Sequence, residues 1–191
     1  GAVLVEAALI LPLLVFLFAG IIEYGVAWRS SNTVATAVGA ASQSSARNIG
    51  DRYTDINAIQ QIRDTFSTSQ LSNIRYVMIY RTADASGAPP TACTTAANAL
   101  ANNATSSTGV QDNCNIYPGA ALAGYTDTQF SAADCASEPD RWFCPVNRRT
   151  VMTSFDRIGV SIRYFSPWKL KILPGTGVTI NDRAVTIVPV F

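Results

Sequence analysis

The sequence predicts an α+β protein, in which a long hydrophobic N-terminal helix is followed by a small antiparallel β-sheet head with a disulfide-bearing loop insert. Three observations support this fold class. A long uncharged segment lies near the N-terminus, apolar and polar residues alternate in three later segments, and all four cysteines lie between the first and second of these segments. We therefore divide the chain into a helix (residues 1–50) and a head (residues 51–191), with the insert at residues 82–150.

The composition argues against several functions. The 14 basic side chains barely exceed the 13 acidic ones, so there is no surplus of positive charge for binding nucleic acid. Histidine, the commonest general base and metal ligand, is absent. We also find no phosphate-binding loop or nucleophile motif in the sequence. We expect no enzymatic activity and no cofactor or metal.

The N-terminal segment has the composition of a membrane-spanning helix. No charged residue occurs from Ala7 to Ile22, between Glu6 and Glu23. At about 1.5 Å per residue this run measures about 24 Å, less than the ~30 Å hydrocarbon core of a bilayer. A glutamate therefore lies at or inside the edge of that core, where an ionised carboxylate costs roughly 2.5–3.5 kcal/mol. Glu6 needs a compensating partner, unless it rests at the interface.

The helical pattern continues beyond the apolar run. Residues 30–49 contain no proline, and their small and apolar side chains recur at three- and four-residue spacing. We predict one helix from Val3 to Ile49. Pro12 removes a backbone hydrogen bond and is expected to kink or locally melt this helix. The alternative is a break near Ser30–Ser31, followed by a separate short helix.

The remainder of the chain predicts a compact head. Gly50-Asp51 ends the first helix, and we expect Thr54 and Asp55 to cap a second, shorter one. Alternating patterns predict three strands, at Asn73–Arg81, Ile158–Phe165 and Val178–Val188. Their apolar face should pack on the C-terminal half of the long helix.

The insert between the first and second of these strands holds the cysteines. Their even number, wide spacing and lack of a CxxC pair favour two disulfides over a zinc site, and so an oxidising compartment. Of three possible connectivities we favour Cys93–Cys114 and Cys135–Cys144. Residues 82–110 are expected to form a long loop. For the aromatic residues we favour core or inter-subunit packing over a receptor-facing patch; they are Tyr117, Tyr125, Phe130, Trp142 and Phe143.

The N-terminal motifs resemble those of a known family. The motifs are Gly1-Ala-Val-Leu-Val-Glu6-Ala-Ala-Leu-Ile-Leu-Pro12 and Gly20-Ile-Ile-Glu23-Tyr-Gly25, followed by an Ala-rich stretch at residues 37–47. Together they are similar to TadE-type pilins of the Tad (tight adherence) pilus system, which are type IV pilin-like. Residues 1–50 carry this resemblance most specifically.

The resemblance implies a structural, non-enzymatic protein. A prepilin peptidase would cut after Gly1, and Ala2 would then carry the new, often methylated, amine. Glu6 would pair with the amine of a neighbouring subunit and set the register of assembly. The implied function is a subunit of an extracellular adhesive filament. Its partners would be its own copies or other pilins and an inner-membrane assembly platform. It would lie in the membrane before assembly and on the bacterial surface afterwards. The alternative is a single-pass membrane-anchored extracellular binding protein that does not polymerise.

Overall fold

One helix dominates the fold. The computed structural model describes residues 2–82, 86–131, 135–136, 139–148, 157–171 and 174–186. Helix α1 extends without interruption from Ala2 to Arg47, a length of about 70 Å. The prediction of a single long helix is confirmed, and no break occurs at Ser30–Ser31. The helix also continues through Pro12 without melting, and a kink at that residue stays a prediction.

The head contains short helices around one antiparallel sheet. Its α-helices are α2 (Thr54–Thr65), α3 (Thr68–Leu71) and α4 (Thr91–Ala99), and short 3-10 helices occupy Gly119–Gly124, Asp127–Phe130 and Pro145–Asn147. Its strands are β1 (Ile74–Arg81), β2 (Thr108–Val110), β3 (Cys114–Pro118), β4 (Ile158–Pro167) and β5 (Gly177–Thr186). Within the described residues they form one sheet, in the order β2-β3-β1-β4-β5.

The three predicted strands are present as β1, β4 and β5, but the count of three and the long loop predicted at residues 82–110 are wrong. The insert supplies α4 and two strands, and β3 pairs with the central strand β1. All five residues of β3 are buried, so the strand shows none of the alternation that marks a half-exposed strand. Strand β2 has only three residues and includes Gly109. Neither strand therefore has a recognisable sequence pattern.

Helices α1 and α2 cover one face of the sheet, which we call the inner face. The alternating residues of β4 point into this core, as predicted. From α1 the core receives small and β-branched side chains, which allow the helix to approach the sheet closely. The fully buried members from α1, α2 and β4 include Val34, Ala37, Val38, Ala41, Ile56, Ile59, Ile62, Val160 and Ile162.

Four of the five aromatic residues singled out in the insert extend the same core. Tyr117, Tyr125, Phe130 and Phe143 are buried, and the rings of Tyr117 and Tyr125 meet edge to face at 5.6 Å. Trp142 is half-buried. The insert is thus part of the folded head and not an appendage to it.

Helix α4 packs on the opposite, outer face of the sheet. It contributes Cys93 and Ala97 to a second buried cluster with Tyr76, Met78, Tyr80 and Ile116 of β1 and β3. The Cys93–Cys114 disulfide ties α4 to β3. Strands β4 and β5 continue the outer face beyond α4, and there they carry exposed side chains such as Asn181 and Arg183.

Candidate assembly site

The N-terminal third of α1 projects from the head as an apolar rod. Every side chain from Val5 to Phe18 is exposed, and the exposed fraction of Leu9 is 74%. In the described part of the chain, α1 is the one helix long and apolar enough to cross a membrane, with a mean hydropathy of 2.6 in its most apolar window. So large an apolar surface requires lipid or other apolar helices around it.

The predicted processing and register residues lie at the start of this rod. Gly1 lies outside the described residues, and Ala2 is the first residue of α1. Glu6 is exposed on the rod, directly before the uncharged run. A carboxylate near a helix N-terminus is favoured by the helix dipole, and a nearby amine would favour it further. The register role of Glu6 stays a prediction.

The carboxylate at the other end of the run has a different environment. Glu23 is fully buried, and it accepts hydrogen bonds from the backbone N–H groups of Lys169, at 2.9 Å, and Leu170. Both donors lie in the connection between β4 and β5. In the sequence Glu23 marks only the boundary of the apolar run, and no local pattern indicates this contact.

Further polar contacts join the head to α1 beyond Glu23. The hydroxyl of Ser166 donates to that of Ser30 at 3.4 Å, and the hydroxyls of Ser42 and Thr186 form a hydrogen bond. These contacts and the apolar core lie on the same face of α1. The rod is the part of α1 on the N-terminal side of Glu23. The head is therefore tied to the C-terminal half of α1, and its position relative to the rod is set.

Aromatic and basic side chains surround the junction of rod and head. The rings of Tyr24 and Trp28 lie 6.3 Å apart on α1, and both residues are mostly exposed. Lys169 and Lys171 are exposed in the connection that Glu23 holds. Aromatic residues and lysines are enriched where a membrane protein passes from hydrocarbon to headgroups. This composition is typical of a membrane interface at the junction.

A buried ion pair fastens the C-terminal part of the insert to α2. Asp55 and Arg148 have fully buried side chains, with Arg148 Nη1 2.6 Å from Asp55 Oδ1 and Nη2 2.8 Å from Oδ2. Tyr117 and Asn115 donate to Asp55 Oδ2 at 2.7 and 2.9 Å. The expectation that Thr54 and Asp55 cap α2 is wrong. The N-cap of α2 is Tyr53, and the Asp55 side chain points into the head.

Burial and charge shift the titration of two neighbours of this pair. Burial, together with the negative charge of Asp55, raises the pKa of Asp140 to about 7. Burial and the same carboxylate raise the pKa of the Tyr117 hydroxyl well above its usual value, so that it stays a hydrogen-bond donor. A second ionised carboxylate beside Asp55 is therefore disfavoured.

Both disulfides join the cysteines that the sequence analysis favoured. Cys93 and Cys114 are completely buried, 21 residues apart in the chain. Cys135–Cys144 closes a shorter segment next to Arg148. Among the described residues, no group of three or more His, Cys, Asp or Glu side chains could hold a metal ion.

An exposed apolar helix, tied through its C-terminal half to a small α+β head, fits a pilin-like membrane-anchored protein. Comparison with known families agrees with this class, because the family model described as TadE-like protein matches residues 1–43. The resemblance found in the N-terminal motifs is thereby confirmed for this segment, which carries the whole rod and both glutamates. No curated protein and no solved structure matches the chain.

Proposed function

We propose that this chain is a structural subunit of an extracellular, pilus-like filament. The exposed apolar rod from Val5 to Phe18 is the observation that carries the proposal. The rod lies in the membrane before assembly and packs among the rods of neighbouring subunits afterwards. Its apolar surface is covered in both states, so transfer from lipid to filament leaves little of it in water.

Glu6 sets the register during subunit addition. Cleavage between Gly1 and Ala2 by a prepilin peptidase produces an α-amino group near the helix N-terminus. In the filament, the Glu6 carboxylate of one subunit pairs with the amine of the next. Removal of one member of such a buried pair typically costs about 3–5 kcal/mol, because the remaining charge is left without a partner. A misplaced subunit is therefore strongly disfavoured.

The head is the part of the subunit that faces the surroundings. Its two disulfides suit an oxidising environment outside the cytoplasm. In a filament with α1 at its centre, the inner face of the sheet turns towards the axis and the outer face turns away from it. Surface attachment through the outer face is the role that this arrangement supports. Assembly requires an inner-membrane platform and copies of this chain or related pilins.

Replacement of Glu6 by an apolar residue tests the assembly step. We expect Glu6→Leu to leave the chain in the membrane fraction and to abolish its recovery in fibres sheared from cells that carry the assembly machinery. The matched control is Val5→Leu, which makes a similar apolar change one residue away and should leave fibres intact. Normal fibres from Glu6→Leu would overturn the register mechanism.

A membrane-anchored binding protein that does not polymerise is the second candidate. An open groove on the outer face of the sheet favours a binding role, and the rod alone suffices as an anchor. For such a protein, the wild-type chain would stay in the membrane fraction and never appear in sheared fibres. Glu6→Leu would then change nothing.

A further inference from the structure

A groove runs along the outer face of the sheet between α4 and the strands β4 and β5. It consists of a cavity of about 580 Å³ and an adjoining one of about 270 Å³. Tyr76, Asn98 and Arg163 line both cavities, so the two form one continuous depression. Ligand sites in proteins commonly occupy about 300–1,000 Å³.

The register of β4 and β5 places two arginines in this groove. Arg183 pairs with Ser161, and Arg163 pairs with Asn181, so these four side chains share the outer face. Arg183 is exposed and Arg163 half-buried. One N–H of Arg163 donates to Asn98 Oδ1 on α4. A guanidinium has five N–H donors, so this contact orients Arg163 and leaves donors for a ligand.

A β-bulge adds a third arginine. The register between β1 and β4 shifts between Ile74 and Tyr76, and Arg75 and Tyr76 both line the smaller cavity. Bulges often turn a side chain towards a functional surface in this way. The guanidinium of Arg75 lies over the ring of Phe165, 5.1 Å from its centre. This stacking holds Arg75 beside the groove.

The groove is positively charged although the chain as a whole is nearly neutral. Among the described lining residues one is acidic, Asp182, and its strand partner is the core residue Ile162. Its side chain therefore belongs to the inner face of the sheet, and its backbone carbonyl accepts a hydrogen bond from Ser161. The lining also contains neutral amides and hydroxyls beside several apolar side chains; these polar residues are Thr94, Asn98, Asn102, Ser161, Thr179 and Asn181.

We infer that this groove binds an acidic polysaccharide, a chain of sugars that carry carboxylates. Arginine binds carboxylates through two parallel hydrogen bonds, and the amides and hydroxyls match the many hydroxyls of a sugar chain. A long duplex of nucleic acid fits less well, because three arginines neutralise few phosphates and the chain has a net charge of only +1.

The groove lies on the face of the sheet opposite α1. A chain anchored in a membrane and a chain in a filament therefore both leave it open. Only the statement about the filament rests on the proposed function. Binding by single subunits does not require assembly, so the two proposals fail independently.

The test is a binding titration of the full chain in detergent micelles, with polygalacturonate as the probe. We expect saturable binding that weakens with added salt, whereas neutral dextran should not bind. Arg183→Gln should raise the Kd about tenfold, and Arg163→Gln with Arg183→Gln should raise it further, because each change removes charge-assisted hydrogen bonds. Arg183 is exposed, so its replacement leaves the fold intact, which circular dichroism verifies.

The matched control is Arg47→Gln, which removes the same charge from the exposed end of α1 and should leave the Kd unchanged. A second control is Glu6→Leu, which should bind as the wild type does. Three results would overturn the inference. These are no binding of polygalacturonate, equal weakening by Arg47→Gln, or equally tight binding of single-stranded DNA, which would indicate unspecific attraction of polyanions.

Discussion

The carboxylate of Glu23 in the first helix accepts a hydrogen bond from the backbone N–H of Lys169, 146 residues further along the chain. This contact lies where the exposed rod ends and the head begins. It attaches the connection between β4 and β5 to α1 at this point. The orientation of the rod therefore determines the orientation of the head.

Loss of the Glu23 charge should loosen this connection. In Glu23→Gln, the side-chain amide presents donors to the N–H groups of Lys169 and Leu170, and at most one of its atoms can accept from them. We expect faster hydrogen exchange of the amides at residues 168–171 in the full chain in micelles. Glu6→Gln, at the exposed glutamate, should leave this exchange unchanged. Unchanged protection of residues 168–171 in Glu23→Gln would show that the contact does not hold the connection.

Separation of the buried Asp55–Arg148 pair should destabilise the head strongly. Asp55→Asn or Arg148→Met leaves a polar or charged partner unpaired in the core, at a cost of about 3–5 kcal/mol. The melting temperature should fall on the order of 10 °C in thermal unfolding followed by circular dichroism. The double variant Asp55→Asn with Arg148→Met should lose less than the two single losses together. Single variants within about 2 °C of the wild type would contradict the account.

Asp140 should make the stability of the head depend on pH. Burial and the charge of Asp55 raise the pKa of its carboxyl to about 7, whereas the unfolded chain has a pKa near the usual 3.8. Between these values the folded state binds more protons at this carboxyl, so the contribution of Asp140 to stability is greatest below about pH 4 and falls as the pH rises to about 7.

Asp140→Asn removes this dependence. The variant should be more stable than the wild type above pH 7, and the difference should shrink as the pH falls towards 4. Urea unfolding at several pH values measures this difference in the free energy of unfolding. A constant difference across this range would mean that Asp140 titrates normally in the folded head.

Removal of the Cys93–Cys114 disulfide should affect both stability and the groove. Replacement of both cysteines by alanine releases a closed loop that contributes about 3 kcal/mol in the chain-entropy model. Since α4 forms one wall of the groove, binding of polygalacturonate should weaken as well. Replacement of Cys135 and Cys144 should lower the melting temperature and leave binding intact. Equal binding by both variants would show that α4 holds its place without the disulfide.

Elements with a regular pattern and one exposed face were predictable from the sequence. The apolar run and the small residues after it predicted α1, and alternation predicted β4, where Ile158, Val160, Ile162 and Tyr164 are buried. The cysteines were paired correctly because neighbours in sequence were also neighbours in space. In each case the signal lies within a short stretch of the chain.

Features that depend on distant residues were not predictable. Strand β3 is covered on both faces, so its pattern is that of any short buried segment. Asp55 resembled a helix cap because its true partner, Arg148, lies 93 residues away. Glu23 resembled the end of an apolar run because its partners are backbone N–H groups, whose presence no side chain reveals. Local sequence patterns do not predict polar contacts of this kind, because the partners are far apart in the chain.

An electron cryo-microscopy map of fibres sheared from cells that produce this chain tests the central claim most directly. The account predicts a bundle of α1 helices along the fibre axis, with Leu9 and its apolar neighbours buried between subunits and Glu6 beside the N-terminus of an adjacent helix. A map in which the rods point away from one another, or in which Glu6 faces water with no neighbouring amine, would contradict it.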